Sequence, residues 1–485
     1  MEFVLLALAV IGLMVHSAEV HIALLVVHTL VALWLAWKLV GRQPISALFI
    51  AYYVLMYFPN PLAIMTGLLP PDTYERPEIL YSSTALLMIG LDLFIFGARR
   101  LRFTRLDANR MPRFQARHFP IDICIALALA LCVLTAAVLT TALAGMGVNV
   151  FTIPKSWISG FGAHNLYYRA ANYAFLTLPL VVFLIGLKRP SLQLPYLIPV
   201  GLLLTFHFMV FRVRSPFIAV IVAYIVATIA RSFVITTGSR PPPGRISPQM
   251  RMLFLIGAPT LVFLGVAIKY MRHSYAMDDY RISPKRVQEL VVSTFAGGDL
   301  GQSFFLRRAI VLFPERHRYL RGQSYYRLLF LPIPRSLWPG KPVNTARIFA
   351  AEHDPALRKR NSTIPPGIVG DLYINFGPVG VLGMVLWGLI LAQERYRNLT
   401  DLMYLAGSGW WLFHIVRGSV SVPVAFLIAM WIVAYAFNRI IRPTVLREAP
   451  GPPPIWPAAT DQQALRGADV RLRDGRANYG TPHGP

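Results

Sequence analysis

The chain has 485 residues, of which 55% are hydrophobic and 14% charged, and its mean hydropathy is +0.53. A soluble protein would carry about 25% charged residues, so the composition excludes an ordinary soluble fold and predicts an all-α polytopic membrane protein, in which helices pair every backbone polar group internally. The net charge of +25 does not indicate nucleic-acid binding, because the basic residues lie in short loops between apolar runs.

Apolar stretches long enough to cross a bilayer recur along the chain and predict about twelve transmembrane helices. The predicted spans are 3–17, 21–38, 45–66, 79–98, 120–143, 170–187, 192–210, 215–234, 252–269, 378–393, 401–416 and 421–438. The chain then divides into a first bundle (1–269), one large loop between spans nine and ten (270–377), the last spans (378–442) and a tail (443–485). The tail is rich in Pro, Gly and Arg, which predicts disorder.

Basic residues concentrate in the loops that follow alternate spans. Because positive loops stay in the cytoplasm, this pattern places these loops and both termini inside and the large loop on the opposite, outer side. The residues that set the orientation are Lys38, Arg42, Arg99, Arg100, Arg102, Arg105, Arg110, Arg113, Arg117, Lys188, Arg189, Arg231, Arg240, Arg245, Arg251, Arg395, Arg397, Arg439, Arg442 and Arg447.

Two arginines are exceptions to this charge pattern, since Arg214 and Arg417 lie in short outer turns. An arginine near membrane depth usually faces a cavity or a partner, and its planar guanidinium suits phosphate oxygens. Together the two side chains can clamp a diphosphate at the membrane surface. The alternative is that each reaches past the lipid to water. Arg212 shares the turn of Arg214 and either joins it or faces lipid phosphates.

The densest motif of the large loop is Pro-Ile-Pro-Arg-Ser-Leu-Trp-Pro-Gly-Lys-Pro at 332–342. Its prolines predict a rigid, non-helical segment that displays Arg335, Trp338 and Lys341. A tryptophan beside cations can bind a sugar face together with an anion. Trp338 can equally anchor the loop at the lipid interface.

A second motif, Gly-Asp-Leu-Tyr-Ile-Asn-Phe-Gly-Pro-Val-Gly at 370–380, leads into the tenth predicted span. Asp371, Tyr373 and Asn375 alternate, so an extended backbone would place them on one face. There they can hydrogen-bond a carbohydrate, and Asp371 can orient or deprotonate an acceptor hydroxyl. The alternative is a polar turn that caps the following helix.

Other chemistry finds little support in the sequence. Asp92 lies within the fourth span and can pair with an Arg or His of the bundle. The eleven histidines show no metal-ligand spacing. The chain has no phosphate-binding Gly-Lys-Ser/Thr loop, no Gly-x-Ser-x-Gly elbow and no His-Glu-x-x-His motif. The sequence therefore indicates neither a metal site nor ATP or serine-hydrolase chemistry.

The outer-side motifs occur in a characteristic order. An outer-turn Arg-Ser-Pro-Phe (214–217) is followed by Leu-Arg-Gly-Gln-Ser-Tyr (320–325), the Trp-Pro-Gly-Lys-Pro stretch, Asp-x-Tyr-x-Asn-Phe-Gly and a last Arg-Gly (417–418). This order resembles the oligosaccharide repeat-unit polymerases of bacterial surface polysaccharides, the O-antigen polymerase (Wzy-type) group. The resemblance covers mainly 205–235 and 295–425. Asp371 stands where that group often has Glu, which is a departure.

The resemblance implies a membrane glycosyltransferase of the bacterial inner membrane that needs no metal, nucleotide or other cofactor. Its substrate would be an undecaprenyl-diphosphate-linked oligosaccharide at the periplasmic face, and the growing chain would move onto a new unit with release of undecaprenyl diphosphate. Arg214 and Arg417 would stabilise the leaving diphosphate. A flippase and a polysaccharide chain-length regulator would be its protein partners.

Two alternatives remain open from the sequence. A related O-antigen ligase would carry a His-Asn pair late in the large loop, whereas the pair His164-Asn165 lies far earlier in this chain. A secondary transporter would be expected to show internal repeats and more acidic residues inside its spans.

Overall fold

In a computed structural model of the chain, all of the described secondary structure is helical. The apolar, alanine- and leucine-rich runs favour helices, since these satisfy every backbone polar group within one segment. The structure describes residues 2–39, 43–70, 76–100, 121–147, 177–186, 193–211, 301–330, 337–353, 363–392 and 411–418, with isolated positions at 219–221, 223–224, 227, 289, 292, 333 and 424.

The helices of the first half include the longest apolar ones. They are α1 (Glu2–Gly12), α2 (Ala18–Leu39), α3 (Pro44–Tyr57), α4 (Pro59–Met65), α5 (Pro77–Arg100), α6 (Ile121–Ala144), α7 (Leu178–Gly186) and α8 (Leu194–Phe211).

The helices of the second half are shorter. They are α9 (Gln302–Leu312), α10 (Gln323–Leu329), α11 (Thr345–His353), α12 (Ile368–Phe376), the 3-10 helix η1 (Gly377–Leu382) and α13 (Gly383–Leu391). Residues 411–416 are also helical.

Five helical stretches are long and apolar enough to cross a membrane. They are Ala18–Leu39, Ile45–Met65, Pro77–Arg100, Ile125–Ala144 and Ile368–Leu391. The first four coincide with the predicted spans two to five, so a membrane-embedded helical protein is confirmed. The total of about twelve spans stays a prediction, because the spans predicted at 252–269 and 421–438 lie almost wholly outside the described residues.

The core of the bundle is aromatic. Phe49, Tyr53 and Tyr57 recur every four residues on one face of α3, and all three are fully buried. The ring of Phe49 stacks on Phe94 of α5 with centroids 4.0 Å apart. The hydroxyl of Tyr53 donates to the carbonyl oxygen of Leu87 at 2.8 Å. The packing of these rings and the hydrogen bond of the Tyr53 hydroxyl together hold α3 against α5.

Helices α5 and α13 form a close glycine contact. Gly97 lies against the backbone of Val385, and Gly388 lies against the backbone of Phe94. A Cβ atom at either glycine would collide with the opposite main chain, so both positions depend on the missing side chain.

A buried contact between a histidine and a carboxyl group joins α2 to α5. Nε2 of His28 lies 3.2 Å from Oδ2 of Asp92, and Nδ1 of His28 lies 2.8 Å from the carbonyl oxygen of Leu24. The predicted pairing of Asp92 with an Arg or His is thereby confirmed, and the partner is a histidine. A carboxyl at this depth needs such a partner, because burying it alone would be costly.

The large loop reaches into the bundle. Helix α9 packs on α3, α4, α5 and α12, and it buries Leu306, Ala309 and Leu312. Helix α12 is buried from Ile368 to Asn375. These two loop helices are therefore part of the core.

The tenth span, predicted from 378, follows the start of η1 at Gly377, and the apolar helical stretch as a whole begins earlier, at Ile368. The stretch is also not straight. At Gly377 the backbone has a φ of 69°, and the chain reverses so that Leu372 packs against Gly380 and Gly383. Helix α12 thus folds back along η1, which places the polar residues of the motif inside the bundle.

Candidate functional site

Gly367 connects the two described catalytic candidates. Its N–H donates to the carbonyl oxygen of Arg417 at 3.0 Å, and its own carbonyl accepts from the N–H of Asp371 at 2.7 Å. Asp371 and Arg417, which are far apart in the sequence, are therefore two hydrogen bonds apart. The structure brings the main chains of these two predicted residues together at one end of the bundle.

The turn that carries Arg417 is held by close backbone contact. The hydroxyl of Tyr57 donates to the carbonyl oxygen of Val416 at 2.7 Å. Gly418, with a φ of 88°, lies directly on the backbone of Gly367, and Tyr57 fills the space beside Gly367. Since both glycines have positive φ and no room for a Cβ atom, this contact requires glycine at both positions.

The first turn of α9 supplies a buried polar cluster beside this contact. The Gln302 amide can donate to the carbonyl oxygens of Pro365 and Arg417, 3.3 Å from each. One turn further, Nη2 of Arg307 donates to Oδ1 of Asn60 at 2.7 Å, and Ser303 donates to the same oxygen at 2.9 Å. Arg307 is only 1% exposed, so a fixed positive charge lies inside the bundle.

The carboxyl of Asp371 faces hydroxyl groups. Asp371 is 2% exposed, and the hydroxyls of Thr345 and Tyr325 lie close enough to interact with the carboxyl. Neither reaches full hydrogen-bond geometry, so Oδ2 of Asp371 makes no hydrogen bond within the described part of the chain. An acceptor oxygen in this state can take a proton donor such as a substrate hydroxyl.

Tyr325 belongs to α10, in the large loop, and inserts its phenol between α12 and α13. Its ring stacks on Phe376 with centroids 5.9 Å apart, and its hydroxyl approaches both Asp371 and Trp387. Burial, and then the charge of Asp371, raise the pKa of the Tyr325 phenol well above its usual value of 10. The phenol therefore keeps its proton and acts as a donor towards the carboxyl.

The predicted extended arrangement of Asp371, Tyr373 and Asn375 is wrong, because all three lie in helix α12. In a helix, residues four apart share a face, and Nδ2 of Asn375 donates to the carbonyl oxygen of Asp371 at 2.7 Å. Tyr373 points elsewhere, with its hydroxyl 3.4 Å from the carbonyl oxygen of Phe313. It also packs edge-on against Tyr319, so the three side chains do not form one sugar-binding face.

The Pro-rich motif is non-helical at its described residues 337–344, as predicted. Only some of the side chains of this motif are exposed. Lys341 is 6% exposed and donates from Nζ to the carbonyl oxygen of Ile333 at 2.8 Å, so the prediction that it is displayed is wrong. Trp338 packs edge-on against Phe330 with centroids 5.2 Å apart. Arg212, Arg214 and Arg335 lie outside the described residues.

Sequence reasoning missed Asn60, Gln302, Arg307, Tyr325 and Thr345. A signal existed for the α9 residues, because Gln302, Ser303 and Arg307 recur at helical spacing in an otherwise apolar run. Asn60 stands between two prolines in a predicted span, where a buried amide needs partners. Tyr325 ends the Leu-Arg-Gly-Gln-Ser-Tyr motif, but neither it nor Thr345 carries a signal that points to Asp371, since their role depends on tertiary contact with α12.

The chain is a helical membrane protein with a buried polar site at one end of its bundle. Comparison with protein-family models, with curated proteins and with solved structures found no match. Within the described residues, no three His, Cys, Asp or Glu side chains cluster as a metal site would require.

Proposed function

We propose that this chain is a polysaccharide polymerase, which joins undecaprenyl-diphosphate-linked oligosaccharide repeat units at the periplasmic face of a bacterial inner membrane. One observation carries the proposal: backbone hydrogen bonds of Gly367 link the Arg417 turn to the start of the Asp371 helix, so two elements of the motif order meet. The order of the outer-side motifs is the reason for proposing this substrate. The buried polar cluster is the reason for proposing the catalytic roles.

The reaction needs an acceptor hydroxyl and a stabilised leaving group. The hydroxyl of the new unit attacks the anomeric carbon of the growing chain, its proton passes to the carboxyl of Asp371, and the bond to the diphosphate breaks with its electron pair on the departing oxygen. The guanidinium of Arg417, joined by that of Arg214, stabilises the charge that develops there. Tyr325 and Thr345 orient the carboxyl.

The test is a gene deletion complemented with single variants. Deletion is expected to abolish long polymer and to leave single repeat units on the lipid carrier, measured by gel and mass spectrometry. Arg417→Ala should give the same pattern at normal membrane levels, because one lost donor to a developing charge costs about 3 kcal/mol, roughly a hundredfold in rate. The backbone bonds of Arg417 survive this substitution, so the turn should keep its place.

Arg318→Ala is the matched control, since Arg318 is an exposed arginine of the same loop, and normal polymer is expected from it. Normal polymer length from Arg417→Ala would refute the proposed mechanism. If deletion instead leaves long polymer on the lipid carrier, the chain is a ligase. If deletion changes neither the long polymer nor the repeat units on the lipid carrier, the transporter alternative replaces both the polymerase and the ligase. Uptake driven by an ion gradient then becomes the measurement.

A further inference from the structure

Helix α10 and the described residues that follow it, 333 and 337–338, expose large apolar side chains, here called the α10 surface. Leu329 is 75% exposed and Leu337 is 78% exposed, and Tyr326 and Ile333 are exposed beside them. Phe330 holds the surface together, because its ring packs edge-on against Tyr326 at 4.8 Å and against Trp338 at 5.2 Å. A soluble loop scatters such side chains singly, whereas a contiguous patch marks an interaction site.

The position of this surface is fixed by Phe376. Gly322, at the start of α10, packs on the Phe376 ring, and Tyr325 stacks on the same ring. Phe376 is itself 47% exposed and begins a row of exposed apolar side chains along η1 and α13. The row consists of Val379, Leu382, Leu386 and Ile390.

The spacing of that row, three and then four residues, places it on one helix face, as expected of a face turned towards lipid. The α10 surface continues this lipid-facing row at the end where the chain reverses.

The charges next to the α10 surface suit lipid head groups. Arg321 is exposed and directly precedes α10. The N–H of Arg321 donates to the carbonyl oxygen of Asn375 at 2.8 Å, which fixes this arginine beside the end of α12. Arginines flanking an aromatic and aliphatic surface are typical of segments that lie in the membrane–water interface, where the cations reach lipid phosphates.

We propose that α10 is an interfacial helix whose surface is covered by bilayer lipid. Tyr326, Leu329, Ile333 and Leu337 insert among the upper acyl chains of the leaflet beside Phe376, and Trp338 lies at head-group level. Of the two interpretations of Trp338 that the sequence left open, this arrangement favours the lipid anchor over the sugar platform. The inference stands independently of the proposed function.

The arrangement has a consequence for the buried site. Tyr325 lies in the same short helix, one turn before Leu329, and its hydroxyl approaches the carboxyl of Asp371. The lipid that covers Leu329 is therefore one helical turn from the side chain that reaches this carboxyl. A substrate carried by a membrane lipid would reach the site along this edge of the bundle.

The test uses the full-length chain in proteoliposomes of phosphatidylcholine and phosphatidylglycerol. Cys124→Ala and Cys132→Ala remove the two native thiols, and Leu329→Cys or Leu337→Cys then takes an environment-sensitive fluorophore. We expect blue-shifted emission from both labels, with strong quenching by lipids that carry a nitroxide near the head group and weaker quenching by lipids labelled deep in the acyl chain.

Two labels serve as references, Glu315→Cys in an exposed polar turn and Leu386→Cys in the lipid-facing row. The first should show neither blue shift nor quenching, and the second should be quenched best by the deep nitroxide. Emission from 329 and 337 that matches 315 would overturn the proposal. A blue shift without quenching would overturn it too, because a second copy or another protein would then cover the surface.

A second measurement needs no substitution, and so remains decisive if the cysteine variants do not fold. Native protein in the same vesicles is cross-linked by a phospholipid with a diazirine near its head group, and peptides are mapped by mass spectrometry. Adducts are expected within 323–338 and not within 314–318. Equal labelling of both segments, or none at 323–338, would contradict an interfacial α10.

Discussion

At the scale of single residues, the carboxyl of Asp371 is distinguished by the groups it faces. Within the described part of the chain, its neighbours are the hydroxyls of Thr345 and Tyr325 and no cation forms an ion pair with it. When a carboxyl is bound in an ion pair, a substrate hydroxyl can replace the charged partner only at a large cost in free energy. A carboxyl that faces neutral donors can exchange one of them for the hydroxyl of an acceptor sugar.

The phenol of Tyr325 should therefore act as a positioning group. Tyr325→Phe removes the hydroxyl and keeps the ring that stacks on Phe376. The hydroxyl approaches the carboxyl without full hydrogen-bond geometry, so its loss should resemble that of an ordinary hydrogen bond, about 0.5–1.5 kcal/mol, and the rate of chain lengthening should fall by roughly twofold to tenfold. The measurement is polymer elongation in membranes supplied with lipid-linked repeat units over a range of substrate concentrations.

A positioning role predicts a lower kcat with little change in KM, because the hydroxyl orients the carboxyl and does not bind sugar. Tyr326→Phe is the control, since the neighbouring phenol is 51% exposed and away from Asp371. Equal elongation rates for the two variants would contradict the role of Tyr325, while a rise in KM alone would make it a substrate contact.

At the scale of elements, the contact between α5 and α13 depends on two glycines. Gly97→Ala or Gly388→Ala would place a methyl group against the opposite main chain, where only movement of a whole helix can make room. We expect each substitution to destabilise the protein by about 1–3 kcal/mol, as overpacked cores do. Lower apparent melting temperature in detergent, followed by fluorescence size-exclusion chromatography, checks this.

Gly201→Ala is the matched control in α8, because a Cβ atom there meets nothing within 4 Å. Alanine is the better helix former by about 0.5–1 kcal/mol, so this variant should melt at or above the temperature of the parent. If Gly97→Ala and Gly201→Ala melt alike, α5 and α13 do not pack as described.

The elements also show where sequence reasoning succeeds and where it stops. The bounds of the spans at α2, α5 and α6 were predicted to within three residues, because each is one apolar run that ends at a charge or a break. In the segment at 368–391, the helix before Gly377 and the reversal there were not predicted. Its reversal at Gly377 depends on Leu372 packing against Gly380 and Gly383, and such contacts leave no trace in hydropathy.

The misjudged extended strand has the same cause. Polar residues at alternate positions fit a strand, yet Asp371 and Asn375 are also four apart and fit one helix face. Short segments carry too few residues for periodicity to decide, and here burial on all sides of α12 favours the helix. The sequence therefore identified Asp371 and Asn375 as candidate site residues, but it did not identify the helix face that they share.

At the scale of the whole molecule, the site is assembled from elements far apart in the chain. Asn60 comes from α4, Arg307 from α9, Asp371 from α12 and Arg417 from the helical turn after 411. Charge alternation predicts that the large loop and the Arg417 turn share the outer side, and the bond between Gly367 and Arg417 requires that they lie at the same depth. Which face of the membrane this is remains a prediction.

Single cysteines can test that orientation. In a background with Cys124→Ala and Cys132→Ala, Arg347→Cys places a thiol at an exposed position of α11 in the large loop, and Arg100→Cys places one at the exposed end of α5. In intact spheroplasts, a membrane-impermeant maleimide should modify position 347 and leave position 100 unlabelled. Lysis should then expose position 100.

Arg100 contacts the ring of Phe96, so its loss should cost at most about 1 kcal/mol, and the basic residues that follow should still hold the loop inside. The reverse labelling would place the Arg417–Gly367–Asp371 contact on the cytoplasmic side. Lipid-linked repeat units could then not be polymerised after their transfer across the membrane, and the proposed function would fail whatever the activity of the single variants. The expected labelling places the site where both acceptor and donor are presented by a lipid carrier in the outer leaflet.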